Sequence, residues 1–341
     1  MKKGLLLSLL FCQTAVWATS GTEGAAFLEI PVGARPAALG SAYSALATDA
    51  YAPTWNPAGL GFVDSCQVAT QYLSYVESMN DEYASVVYPL RPGKTFGASL
   101  QYLGTGDIPE TQVGGASSGN FSSHYAAYAL AYGQAWTDRL SFGLAGKLIN
   151  AQISDVSANA YVVDLGSLYQ YRRNLSFAAT LTNLGTALNF LSEGDSLPLA
   201  FHLAAAYIPS PPWTTTVEGV LPQAGSPSIR LGGEWRPLDT VSLRMGFRTD
   251  NLQDLSPLAG FSMGVGIHLW GQNLDYAWVP LGSLGNTQYI SLVFSFGPRA
   301  GNAENVNVMK ADQANSPSEN ARPIKNKLPP SLEYGAPEAP R

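Results

Sequence analysis

Charge is what this sequence has least of. Only 13% of its 341 residues are Asp, Glu, Lys or Arg, about half the roughly 25% of a soluble globular domain. That scarcity argues against an ordinary cytosolic enzyme. Lys and Arg number 19 against 25 Asp and Glu, a formal net charge of -6. The clustered cations that hold phosphate are missing, which excludes nucleic acid as a natural partner. Long apolar runs are missing too. The chain is 46% hydrophobic, yet its apolar residues are dispersed among Gly, Ala, Ser and Thr, which excludes a bundle of membrane-spanning helices. With Cys12 and Cys66 as the cysteines and three histidines on scattered segments, neither a disulfide framework nor a metal site is indicated. No cofactor motif is present. Gly260-Phe261-Ser262-Met263-Gly264 matches a nucleophile elbow, but alternation continues through Val265 and Ile267, so the required strand-turn-helix is absent. Gly93-Lys94-Thr95 ends like a phosphate loop, yet Tyr88 stands where the first Gly belongs. The chain is not read as an enzyme.

The two ends are distinct. Lys2 and Lys3 precede the apolar run Leu5 to Phe11, and Val16-Trp17-Ala18 supplies small residues around a cleavage point. Residues 1–18 therefore read as a secretory signal peptide, which would remove Cys12 and leave Cys66 without an intrachain partner. Residues 298–341 contain seven prolines among Asn, Ser, Lys and Glu. Such a composition cannot bury enough apolar surface to fold alone, so this reads as a disordered tail.

Between them the apolar period is two. In one segment Leu140, Phe142, Leu144 and Leu148 share a face opposite Ser141, Gly143, Ala145 and Lys147; in another Val241, Leu243, Met245 and Phe247 oppose Ser242, Arg244, Gly246 and Arg248. An apolar face suits lipid, and a face of Gly, Ala, Ser and charge suits a crowded lumen. About 14 such strands fit residues 66–297, predicting an all-β, antiparallel transmembrane barrel. An even count places both termini on one side. Longer connections, among them 77–82, 105–123, 152–159, 185–198 and 250–258, alternate with tight turns. The long connections carry Glu77, Asp81, Glu82, Asp107, Glu110, Asp155, Glu193, Asp195, Asp250 and Asp254 and no Lys or Arg, which predicts an acidic rim. On the inner faces, Glu218, Arg230, Glu234, Arg236, Arg244 and Arg248 come from successive strands. Neighbouring strands lie about 5 Å apart, so these six predict a ladder of ion pairs, with His202, His268 and Asp275 nearby. Ile108, Phe190, Leu191, Leu197, Leu255 and Leu258 are apolar residues of the long loops and form a candidate patch for a partner or ligand.

Residues 19–65 precede the barrel and read as a plug. Pro36 suits a helix start, Leu39, Ala42, Tyr43 and Leu46 recur at helical spacing, and Pro53 ends the run. The stretch carrying Phe27, Leu28, Val32-Gly33-Ala34-Arg35, Gly40, Ala42, Tyr43, Ala47, Asp49 and Trp55-Asn56-Pro57-Ala58-Gly59-Leu60 resembles the start of the PorV/PorQ family of outer-membrane proteins. Asn56-Pro57-Ala58 is also similar to the signature of FadL-like transporters, 14-stranded barrels with an N-terminal hatch. The resemblance implies that Asn56, Pro57 and Ala58 make the turn from hatch to first strand. It implies a barrel in the outer membrane of a diderm, Gram-negative bacterium with periplasmic termini, surrounded by lipid. Three functions are compatible with it: docking or shuttling exported proteins as in type IX secretion, uptake of hydrophobic small molecules, or a purely structural barrel.

Overall fold

The computed structural model describes residues 23–106, 108–111, 117–190, 193–210, 212–250 and 257–296. The predicted signal peptide and tail lie outside them. Fourteen antiparallel strands close into one barrel. They are β1 (Cys66–Ser74), β2 (Asn80–Arg91), β3 (Lys94–Gly104), β4 (Ser123–Ala135), β5 (Leu140–Ile153), β6 (Val156–Arg172) and β7 (Leu175–Gly185), followed by β8 (Ala200–Tyr207), β9 (Trp213–Pro222), β10 (Ser228–Leu238), β11 (Val241–Arg248), β12 (Phe261–Leu269), β13 (Gln272–Pro280) and β14 (Asn286–Phe296). Each pairs with its sequence neighbours, and β1 closes on β14 through Cys66 opposite Phe296.

Alternation decides which way each side chain faces, because successive Cβ atoms of a strand point to opposite faces. On β5, Phe142, Leu144 and Leu148 are exposed on the outer wall while Ser141, Ala145 and Lys147 are buried inside. The same split repeats around the barrel and leaves the large apolar residues outside, as a lipid-facing wall requires. Tight turns gather at one rim, where Trp136, Tyr171, Trp235 and Trp270 stand exposed and Trp213 stacks on Trp235 with ring centroids 5.6 Å apart. Such rings suit a membrane–water boundary.

Several expectations about the longer connections change. The segment 152–159 is mostly strand: β5 has 14 residues and β6 has 17, joined by Ser154 and Asp155. At about 3.3 Å per residue this hairpin outruns an apolar band about 25 Å tall. Its outward residues near the tip are accordingly polar, and Asn150 Nδ2 donates to Asn159 Oδ1 at 2.9 Å. Asp81 and Glu82 belong to β2, and Asp81 is fully buried in the lumen. The loop 105–122 carries a small hairpin, Ile108–Thr111 with Ser117–Phe121, and 186–199 carries another, Leu188–Phe190 with Glu193–Asp195. Asp107 and Asp254 lie outside the described residues.

The barrel begins and ends at the turn rim, as an even strand count requires, and the described residues ahead of it start at the opposite rim, where Gly24 N donates to Ser196 O at 2.8 Å. Residues 24–65 run down the lumen to reach Cys66. The plug holds little helix: α1 (Ala34–Ala38), α2 (Ala52–Trp55) and two 3-10 turns, Ala26–Glu29 and Pro57–Phe62. Pro36 lies in the first turn of α1 as expected, whereas Pro53 starts α2 rather than ending a helix.

The outer wall generates a direct test. Leu130→Arg, in the middle of β4 and facing outward, is expected to cost about 2–4 kcal/mol in a bilayer, whereas Asn159→Arg near the hairpin tip costs at most about 1. Denaturant titration of the refolded barrel in vesicles measures both.

Candidate functional site at the hatch and the loop rim

The hatch backbone leaves the helical path after α1 because its partners lie on the wall. Gly40 and Ser41 have φ of 62 and 62, a left-handed pair that glycine tolerates and serine resists. Leu39, Ala42 and Tyr43 are buried nonetheless, and Leu46 is partly so, so the residues read as a helix face do point into the barrel. Tyr43 N and Ser44 N each donate to a Glu218 carboxylate oxygen at 3.0 Å, and Ser44 Oγ donates at 2.9 Å. A wall carboxylate thus satisfies backbone donors that a continuing helix would have bonded internally.

Two groups of wall glycines let the hatch backbone approach closely. A Cβ on Gly133 would lie 2.5 Å from Pro57 O, and one on Gly143 or Gly166 would overlap Pro57, Ala58 or the Asn56 side chain. Across the lumen, a Cβ on Gly232 would lie 2.7 Å from Leu39 O, one on Gly264 2.6 Å from the Ala38 Cβ, and one on Gly246 would overlap Gly40. Asn56 is fully buried. Its Nδ2 donates to Ser44 O at 3.0 Å and Ser167 O at 3.3 Å, and its Oδ1 accepts from Ala58 N at 3.0 Å. Asn56, Pro57 and Ala58 therefore sit against the wall inside the barrel. Asn56 caps the 3-10 turn Pro57–Phe62, of which Pro57 and Ala58 are the first residues and which is the last element before β1.

The predicted charge ladder divides into separate clusters. Glu234 accepts from Arg35 Nε at 2.9 Å, Arg244 Nε at 2.7 Å and Arg236 at 3.0 Å, and Arg244 also reaches Asp275 at 2.6 Å. Arg35 comes from the hatch, and its guanidinium also donates to the Tyr43 hydroxyl at 3.1 Å. Glu218 faces Arg230 in register but pairs with His202 Nδ1 at 2.9 Å. Arg230 instead joins Arg248, opposite it on β11, in holding Asp250 at 3.1 and 2.5 Å. Burial opposes ionisation of Asp250, but Arg248 and then Arg230 outweigh it and hold the carboxyl below the usual carboxylate range. Lys147 with Asp164, 2.5 Å apart, went unnoticed in the sequence, although inward parity on β5 and β6 would have exposed the pair. Asp81 accepts from the amides of Gln71 and Gln101 at 3.1 and 3.0 Å. Those glutamines in turn meet the hatch at Gly33 N and Phe27 O.

Among the described residues, the apolar loop side chains fall in different environments. Leu197 is buried with Phe27, Leu103, Ile149 and Leu188 in an apolar cap over the hatch, and Phe190 packs against it. Ile108 is half-buried. Leu258, on the 3-10 turn Pro257–Gly260, is 70% exposed. Leu191 and Leu255 lie outside the described residues. A cavity of about 80 Å³ remains between the hatch, at Val32 and Trp55, and the wall, at Lys147, Asn183, His202 and Arg230.

Comparison with known proteins gives a family and a fold. The family of type IX secretion system protein PorV matches residues 16–194. No curated protein is similar in sequence. Among solved structures, the Pseudomonas putida toluene transporter TodX has a TM-score of 0.54 at 15% identity, over 76% of this chain and 96% of that one. The CymD monoaromatic hydrocarbon channel has a TM-score of 0.56 at 10% identity, over 79% and 99%. A Pseudomonas aeruginosa FadL homologue has a TM-score of 0.53 at 11% identity, over 76% and 97%. At such identities these structures establish the FadL-like barrel fold alone. Family and fold are those of an outer-membrane protein.

Gly143→Ala is expected to destabilise the barrel by about 1–3 kcal/mol through overpacking, with faster proteolysis of the hatch. Gly146→Ala on the same strand, where an added Cβ meets nothing within 4 Å, should be near neutral. Glu234→Gln leaves Arg35 and Arg244 without their shared carboxylate and should cost about 3–5 kcal/mol in denaturant unfolding. A carboxyl of lowered pKa stabilises the fold above its unfolded pKa and loses that contribution as pH falls through the folded one. The Asp250 clasp should therefore stay closed at neutral pH and open only well below about pH 4. Hydrogen exchange at Thr249 N, which donates to Ile229 O at 3.0 Å, should be protected at pH 7 and pH 5 alike and lose protection in Asp250→Asn.

Proposed function

The chain belongs to the PorV family of type IX secretion system proteins, and from that premise we propose that it is a docking or shuttle barrel that holds exported proteins at its loop rim. The observation that carries this reading is the filled lumen. Wall glycines press on the hatch backbone from two sides, and Arg35, Tyr43 and Ser44 are tied to wall carboxylates. A barrel closed in this way works through its rim rather than through its bore. The turn rim, with its exposed tryptophans and with Arg91, Arg139, Arg172 and Arg173, faces the periplasm in this reading. The loop rim, with Glu77, Glu110, Asp155, Glu193 and Asp195, faces outward. Lipid covers the apolar wall, and the partners are cargo proteins or other components of the secretion machinery. Among the described residues, Leu258 and Leu284 are exposed apolar side chains of the long loops and are available to a partner.

The second reading is a channel for hydrophobic compounds. It is favoured by the cavity beside Leu28, Val32 and Trp55. The cavity is small, however, and Lys147, His202 and Arg230 line its other side, which suits an apolar solute poorly. A structural barrel is the third.

Affinity capture with the detergent-solubilised barrel tests the docking reading. Secreted proteins sharing a C-terminal domain should be recovered from the source organism, and Leu258→Glu should lower recovery about tenfold, or about 1.4 kcal/mol. Leu197→Ala should act on stability instead. Recovery of no such cargo from cells that export it would overturn the reading.

A further inference from the structure

At the turn rim the hatch leaves a hollow of about 160 Å³ between residues 45–48 and strands β6, β7 and β8. Its origin is visible in the sequence. The apolar cluster beneath is built mainly from alanines, among them Ala178, Ala204 and Ala206, with Leu168 as its one large buried residue and Leu46 only partly covered. Small side chains at facing positions do not fill the space between hatch and wall, and packing density elsewhere in a protein interior leaves few such voids.

The mouth of the hollow is cationic. Arg172 and Arg173, in and after the last residue of β6, line it and are exposed. The Arg172 guanidinium carbon lies 5.3 Å from the Tyr171 ring centroid, a cation–π contact that steadies it at the rim. Among the described residues neither arginine pairs with a carboxylate. Gln170 and Asn174, beside them, offer side-chain amides able to bond a peptide group.

We propose that this hollow receives the free carboxy terminus of a polypeptide partner whose last residue is apolar. The terminal carboxylate is held by Arg172 and Arg173, which can grip it bidentately, and the last side chain enters the hollow over Leu46, Leu168 and Ala206. Size selects the occupant. A cavity of about 150 Å³ takes one benzene, so this one takes a single Leu- or Phe-sized group and not a long acyl chain. Capture of a chain terminus by fixed polar groups beside a side-chain pocket is a recurrent recognition mode. The site lies at the rim opposite the proposed cargo surface and stands independently of that reading.

Fluorescence anisotropy tests it, with the full-length mature barrel in lipid nanodiscs and a dye-labelled hexapeptide, Gly-Ser-Gly-Ser-Gly-Leu, ending in a free carboxylate. Binding should weaken at least tenfold when the peptide is amidated, and to a similar extent in the Arg172→Gln, Arg173→Gln double variant, whose exposed positions leave folding intact. Ala206→Phe, which fills the hollow, should do the same, and Ala206→Val is the milder filling to use where the Phe variant does not assemble. Equal binding of the amidated peptide, or unchanged binding by the double-Gln variant, would overturn the proposal. So would a result in which 4-phenylbutyrate binds to the hollow and the peptide does not, since that would make the site one for small acids.

Discussion

A closed wall of fourteen strands encloses more space than its own inward side chains fill; roughly eight strands is the size at which they just suffice. Everything inside this barrel depends on how that surplus is occupied. It is occupied by backbone, residues 24–65, which must be brought within van der Waals distance of the wall and have its polar groups satisfied there. Glycine on the wall provides the first condition and wall carboxylates and amides provide the second. The six wall glycines considered above are not spread evenly. Gly133, Gly143 and Gly166 meet the segment at Asn56 to Gly61, and Gly232, Gly246 and Gly264 meet Ala38 to Gly40.

The same constraint explains the electrostatics. Burying a charge is costly unless it is paired, so the ionisable residues of the lumen have partners, some from the wall alone, as in Lys147 with Asp164, and some from the hatch. Arg35 completes the Glu234 cluster, and the backbone at Tyr43 and Ser44 completes the shell of Glu218. These contacts reach across nearly two hundred residues of sequence. They make the hatch part of the folded barrel rather than a separable plug, and they join its stability to that of β8 through β13.

At the loop rim the polarity pattern inverts. The inward residues near the tip of the β5–β6 hairpin, Ile149, Ala151, Ala158 and Ala160, are apolar and cap the start of the hatch, while the outward ones are Asn, Gln and Ser. This part of the wall behaves like a soluble domain because it stands beyond the lipid. The working surface of the proposed docking barrel is therefore the outside of a packed cap, together with the exposed Leu258 and the acidic residues of the loop rim. The turn rim differs: Trp, Tyr and Arg are concentrated there, and the packing beneath is loose because alanines supply it.

Strand number, strand order and the face each side chain takes could be read from the sequence, since a period of two is a local property and a lipid solvent sharpens it. Inward charge at Glu218, Glu234 and Arg244 could be read for the same reason. What the spacing of Leu39, Ala42, Tyr43 and Leu46 could not reveal is that their segment would abandon the helix after Ala38. That outcome depends on Glu218 and on Gly232 and Gly246, some 175 to 206 residues away. Nor could composition tell that Leu197 is consumed by a cap, or that Arg230 would leave Glu218 for Asp250. Periodicity is decided between neighbours, and so the amino-acid sequence determined the wall. Which residues meet inside was decided only by closing the barrel around its own N-terminal segment, because only closure brings those distant partners within bonding distance.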